Sequence, residues 1–326
     1  MALLIFTLTL VLMAEFVNGW TDAPNAIATV VATRVLSVPK AIVLAVILNT
    51  AGAMTGTAVA ATVGKGIVDP HLITLPALCA AMCSVIAWGC FAAHNGFPVS
   101  KSHALLSGLA GAGLASGGVD ALEWTGWKLV FIGMAGSVLL GIFAAFVIGT
   151  LITKCAGNLP SGKAKRAFDL LQILSASFMA FAHGMNDGQK FMGVFTLALL
   201  LGDAIPIFQV PSWVVLVCAG TMGVGTSLGG YRIIRTIGMR MAHIESWQGF
   251  AAETSAAATI TCASMCGIPL STTHTITSSI AGAASSRRVG SVQWFVLRDI
   301  VLAWIITFPV CTGVSYGVAF LCGEFF

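Results

Sequence analysis

Long apolar runs, interrupted at short intervals by small or polar residues, dominate the chain. They fall at about 2–17, 20–35, 41–63, 71–92, 97–116, 128–152, 168–184, 188–202, 209–230, 248–266, 268–285 and 292–322. A helical membrane crossing takes about 20 residues, so the pattern predicts an all-α polytopic membrane protein. Several runs are shorter than this. Glycine or proline interrupts them in both halves of the chain, which predicts broken or re-entrant helices and helical hairpins around a central site. The first run, Met1 to Val17, has no basic start and leads directly into polar residues. It is read as a first span and not as a cleaved signal.

Composition supports this reading. Of 326 residues, 57% are hydrophobic and only 9% charged, against about 25% charged in soluble domains. Too little charge is present to cover a water-facing surface, so a lipid bilayer must solvate much of the chain. A net charge of +4 gives no case for nucleic acid. No polar stretch is long enough for an attached nucleotide-hydrolysing domain, and no Walker-type glycine loop is present. Cys79 with Cys83, and Cys262 with Cys266, sit four apart in apolar runs. They read as small hydrophobes on helix faces, because no histidines complete a zinc set.

The chain also repeats. Phe16 to Asn25 reads FVNGWTDAPN and Phe181 to Lys190 reads FAHGMNDGQK, with Phe, Gly and Asp in register. Phe97 to Ala112 reads FPVSKSHALLSGLAGA and Ile268 to Ala283 reads IPLSTTHTITSSIAGA, sharing Pro, Ser, His and a closing Ala-Gly-Ala. The organisation follows: a membrane repeat at 1–153, a polar cytoplasmic linker at 154–167, and a second repeat at 168–326. The linker carries Lys154, Lys163, Lys165 and Arg166, and basic loops stay in the cytoplasm. Equivalent loops differ in charge. Arg34 and Lys40 face Asp203, the neutral 65–69 loop faces Arg232, Arg235 and Arg240, and Asp120 and Glu123 face Arg287 and Arg288. The two repeats are therefore expected to have inverted topology, with both termini extracellular. That count requires 20–35 and 188–202 to be half-membrane continuations after a break.

Asp22 and Asp187 occupy matched positions in apolar sequence. A carboxylate at mid-membrane costs roughly 3 kcal/mol or more unless paired or hydrated, so a repeated one points to function. With Thr21, Asn25, Asn186 and carbonyls exposed near Gly19 and Gly184, they offer the oxygens that Na⁺ prefers; they can also carry a proton. In the second pair, Pro98 and Pro269 break the preceding segments, and Ser100 and Ser271 cap new helices. Free N–H groups at such ends attract anions. Two such ends, with Ser102, Thr272 and Thr273, can face one oxyanion from opposite sides. His103 and His274, one turn in, either shuttle protons or hydrogen-bond a backbone group and fix the hairpin. Lys101 and Lys190 break the symmetry, standing where the other half has Thr272 and Asn25. Each either holds the anion, fills a cation's place, or snorkels to the surface. Glu253, in AAETSAAATIT, has no acidic counterpart and is either a proton or cation carrier or simply paired.

These motifs resemble the inorganic phosphate transporter (PiT) family, whose duplicated signature is similar to NGWTDAPNAIATVVATRVLS and AHGMNDGQKFMGV. PVSKSH, PLSTTH and AAETSAA resemble it too, in order, over nearly the whole chain. The resemblance implies a secondary active transporter of the prokaryotic low-affinity type, a multi-pass protein of the cell membrane and a homodimer. It would symport phosphate with Na⁺ or H⁺ by alternating access, with no other cofactor. It further implies that Asp22, Asn25, Asn186 and Asp187 serve the coupling cation, as the metal ligands if that cation is Na⁺. Ser100, Ser102, Ser271, Thr272 and Thr273 would then bind the substrate, and Lys101 between them is read as a further substrate-binding candidate from its charge. Thr21 replaces the usual Asn of the signature, and Lys101 and Lys190 add charge, which leaves H⁺ or metal–phosphate coupling open beside Na⁺. Alternatives are a sulfate permease of the same fold, or an anion channel. A hydrolase built on Ser100 and His103 lacks an acid partner, so the chain is not read as an enzyme.

Overall fold

The computed structural model describes residues 1–156 and 161–325. It contains twelve α-helices and no strand among the described residues. In the first half these are α1 (Ala2–Ala32), α2 (Val38–Ala53), α3 (Ala58–Lys65), α4 (Leu75–Asn95), α5 (Lys101–Gly117) and α6 (Trp124–Ala156). The second half repeats the order with α7 (Ser161–Leu201), α8 (Ser212–Ser227), α9 (Tyr231–Arg235), α10 (Ser246–Met265), α11 (Thr272–Ser285) and α12 (Trp294–Phe325). Even the small features match: isolated bridges join Val68 to Leu122 and Ala242 to Val292. Four helices are long and apolar enough to cross a membrane, or up to six elements if each bent pair counts as one span. The bent pairs are α2 with α3, at 72°, and α8 with Tyr231–Arg240, at 64°. The chain is a multi-pass membrane protein.

The positions of the helix breaks are corrected. The breaks predicted within 2–35 and 168–202 are absent, since α1 runs unbroken for 31 residues and α7 for 41. At 1.5 Å per residue α1 spans about 46 Å, more than a bilayer core. Pro24 lies inside α1, with Gly230 packed close to it and to Trp20 O, and proline is tolerated in membrane helices that neighbouring elements pack against. The breaks occur instead inside the predicted 41–63 run, at 54–57, and at the end of the 209–230 run, at 228–230. Of the segment read as a linker, 154–156 end α6 and 161–167 begin α7, and 157–160 lie outside the described residues.

Gly19 and Gly184 do not expose carbonyls. They let backbones cross. A Cβ on Gly19 would collide with Met222 O, and one on Gly225 with Phe16 O, where α1 crosses α8. Gly184 against Asn49 O and Gly52 against Phe181 O make the matched crossing of α7 with α2. Lipid gives apolar helices no hydrophobic reason to associate, so such close packing is a main source of their adhesion.

The two copies interleave. Helix α1 packs on α8 and α2 on α7, while α6 lies on α10 and α11, and α12 on α4 and α5. Two apolar clusters result. One gathers Leu4–Ala14 of α1 and Phe191–Leu199 of α7; the other gathers Ala26–Val30 and Ala176–Ala182. Residues 15–25 and 183–190 form a polar layer between them.

Loops of like predicted side lie together. Arg34, Lys165, Glu245 and Arg287 line one cavity of about 790 Å³. At another end, Lys65 sits 6.0 Å from the Phe208 ring, and Asp69 N donates to Ala121 O.

Candidate functional site

The site is built from two helical hairpins whose tips meet at the polar layer. Gly96 closes α4 with φ of 73°, and Gly267 follows α10 with φ of 68°, a left-handed turn that favours glycine. Pro98 and Pro269 then keep the chain extended. Ser100 Oγ accepts from His103 N and Ser271 Oγ from His274 N, each at 3.2 Å, capping α5 and α11. The two caps touch: Ser271 Oγ donates to Ser100 Oγ at 2.8 Å. Trp304 Nε1 of α12 donates to Pro98 O at 3.0 Å and holds the first tip in place.

Asp22 and Asp187 approach this junction from α1 and α7. Asp22 Oδ1 lies 3.4 Å from Lys101 Nζ, and Oδ2 accepts from Thr273 Oγ1 at 3.3 Å. Asn25 Nδ2 donates to the same Thr273 hydroxyl at 2.9 Å. On the other side Asp187 Oδ2 accepts from Thr272 Oγ1 at 2.8 Å, and Oδ1 lies 2.5 Å from Lys190 Nζ. Lys190 also donates to Ser102 Oγ at 2.5 Å. The two networks are copies: Lys101 corresponds to Thr272, Ser102 to Thr273, and Asn25 to Lys190. Each copy carries one lysine, at a different node.

All of these side chains are at most 3% exposed. Two buried aspartates therefore face two buried lysines, and pairing offsets a desolvation cost of several kcal/mol per ion. Gly89 of α4 leaves room for the Lys101 stem. The Lys101 ammonium sits at the first turn of α5, where the helix dipole opposes a cation. An anion at the hairpin junction would relieve that conflict.

The remaining expectations divide. Thr21 Oγ1 donates to Val17 O at 2.7 Å and reaches Asp22 Oδ1 at 3.3 Å. Asn186 turns away from Asp187, its Nδ2 donating to Ser264 Oγ at 2.8 Å and to Ile268 O at 3.3 Å. His103 does not bond a backbone group through its ring. Both its ring nitrogens are buried without a partner among the described residues, as is Nε2 of His274. The rings instead pack edge to face, 4.3 Å apart, and His274 stacks on Trp304 at 3.6 Å. Glu253 lies outside the junction, holding Thr29 and Ser175 hydroxyls and, at 3.4 Å, Gln172 Nε2. It fastens α10 to α1 and α7. Neither lysine snorkels.

Sequence reasoning missed His183 and Glu15. His183 Nε2 lies 3.1 Å from Asp187 Oδ2, with Asn49 Oδ1 3.3 Å from its other nitrogen. One ligand atom each from Asp22, His183 and Asp187 falls within 4.8 Å of the others. Glu15 is fully buried, and Asn18 Nδ2 donates to its Oε2 at 3.1 Å. Its position just before FVNGW, in an apolar run, was the available signal, by the argument applied to Asp22.

Residues 18–315 match PHO4, the phosphate transporter family. This chain belongs to the phosphate transporter family. It is 37% identical over 314 residues to a probable low-affinity inorganic phosphate transporter of Bacillus subtilis, covering 94% of each chain. A protein of the same description from Rhizobium meliloti is 39% identical over 322 residues, 96% of this chain and 94% of the relative. A solved structure described as "The sodium-dependent phosphate transporter" superposes over the whole of both chains with a TM-score of 0.83. Its 22% identity speaks for the fold. Members of this phosphate transporter family are transporters and not enzymes, so Ser100 and His103 are cap and neighbour.

Proposed function

We propose that this chain is a secondary active carrier that symports inorganic phosphate with a cation by alternating access. One observation carries the reading: two capped helix ends, Ser100 and Ser271, meet at 2.8 Å between two buried aspartates. Helix N-termini and hydroxyls supply donors to an oxyanion, and the aspartates require a cation partner. Low exposure of every member of the junction favours a carrier that must move to release its cargo over an open pore. The names of the relatives support phosphate over sulfate.

The protein sits in the cell membrane as a homodimer with both termini outside. The basic rim formed by Arg34, Lys165 and Arg287 faces the cytoplasm.

Radiolabelled phosphate uptake into proteoliposomes, with imposed ion gradients and sulfate as competitor, tests this. Uptake above the equilibrium level, unaffected by sulfate, is expected. Equilibration alone would indicate a channel, and accumulation of sulfate in place of phosphate would change the substrate. Removing both caps, Ser100→Ala with Ser271→Ala, costs about 1 kcal/mol of helix stability per cap. Because the hydroxyls also face the cargo, the KM for phosphate is expected to rise about tenfold, the equivalent of one charge-assisted hydrogen bond. An unchanged KM would place the anion elsewhere.

A further inference from the structure

The solved relative is described as sodium-dependent, which raises the question of whether this chain's own residues fit Na⁺. A sodium seat needs several oxygens converging on a space that no protein cation fills. Beside Asp187 the oxygens converge, but on Lys190. Its Nζ lies 2.5 Å from Asp187 Oδ1, 2.5 Å from Ser102 Oγ and 2.7 Å from Leu270 O. These are a carboxylate, a hydroxyl and a carbonyl, drawn from α7, α5 and the loop before α11. An ammonium has three N–H donors, and all three are used. The second carboxylate oxygen accepts from Thr272 Oγ1 at 2.8 Å, and His183 Nε2 lies 3.1 Å from it. Each oxygen of Asp187 thus already has a protein donor, and the space where the carboxylate, hydroxyl and carbonyl converge holds the Lys190 ammonium.

The internal repeat supplies the control. At the position matching Lys190 the first half has Asn25, a neutral amide whose Nδ2 bonds Thr273 Oγ1 at 2.9 Å. Lys190 bonds Ser102, the counterpart of Thr273. The same fold thus accepts either a neutral amide or an ammonium at this node, and the choice decides whether the nearby carboxylate has a covalently attached counter-ion.

We propose that Lys190 is a tethered counter-cation, occupying the place a sodium ion would take beside Asp187 and making transport independent of sodium. This rests on the carrier reading above. It assigns sodium independence to one residue and leaves H⁺ or metal–phosphate coupling for the carrier. Lys101, at 3.4 Å from Asp22, is the looser companion in the other half.

Two measurements on the full chain test it. In the first, thermal unfolding of the purified protein is followed in sodium chloride and in choline chloride at equal ionic strength. A ligand that binds only the folded state raises its melting temperature. The wild-type protein is expected to melt at the same temperature in both salts. Lys190→Asn, which gives the second half the side chain found at position 25, is expected to melt lower in choline and to recover in sodium. In the second, phosphate uptake by the wild-type protein is expected to be equal in sodium and choline, whereas any uptake by Lys190→Asn is expected to require sodium. A sodium-dependent rise in the wild-type melting temperature, or sodium-stimulated wild-type uptake, would overturn the proposal. So would a folded Lys190→Asn protein indifferent to sodium. Should that variant not fold, the wild-type comparison still decides. Failure of the phosphate reading would appear separately, as no uptake in either salt, with the melting comparison still valid.

Discussion

Asp187→Asn is expected to reduce concentrative phosphate uptake to background and to destabilise the protein. The carboxylate accepts from Lys190 at 2.5 Å and from Thr272 at 2.8 Å. Asparagine keeps the volume but removes the charge, leaving the Lys190 ammonium buried on Ser102 and Leu270 O alone. Breaking a buried pair in this way costs about 3–5 kcal/mol. The double variant Asp187→Asn with Lys190→Gln removes both charges and is expected to recover most of that stability without recovering uptake. Melting temperature and proteoliposome uptake, measured on both variants, separate the two roles. Concentrative uptake by either variant would remove Asp187 from the coupling machinery.

Gly184→Val is expected to abolish the folded protein altogether. A Cβ at Gly184 collides with Asn49 backbone oxygen, and the reciprocal Gly52 leaves no space on the other side. Backbone cannot yield as a flexible side chain does, so α7 and α2 must separate. That separation also withdraws Asn49 from His183, now 3.3 Å apart, and so reaches the Asp187 network. Gly220→Ala on α8 is the control, since nothing lies within 4 Å of a Cβ there. Size-exclusion profiles in detergent should show a single sharp peak for the control and aggregate for Gly184→Val. A monodisperse Gly184→Val protein would show that the crossing is not tight.

The hairpins were legible because proline and serine act locally. Pro98 and Ser100 specify a stop and a cap whatever surrounds them, and Pro269 and Ser271 repeat the instruction. Asp22 and Asp187 were legible because a buried carboxylate is costly wherever it falls. The helix breaks were misplaced for the converse reason. Asp22 and Pro24 argue against a continuous helix only when α1 is read alone. Thr273, Lys101 and Gly230 come from distant sequence and make it tenable. His183 sits within a quoted motif but matches Asn18, so the identity pattern passed over it. The His103 ring was expected either to shuttle protons or to bond backbone, yet Trp304 and Phe308, from the far end of the chain, enclose the histidine pair in aromatic packing. Interleaving was invisible as well, since a repeat shows the order of elements and not their neighbours.

That interleaving has a consequence for biogenesis. Helix α12, which secures the tip of the first hairpin through Trp304 and Pro98, leaves the ribosome after the other eleven described helices. Until it arrives, α4 and α5 lack one wall, and the pocket that holds Lys101 stays unsealed. The first repeat therefore cannot mature while the second is being translated, and both halves of the binding junction become competent together, only after synthesis has passed Trp304.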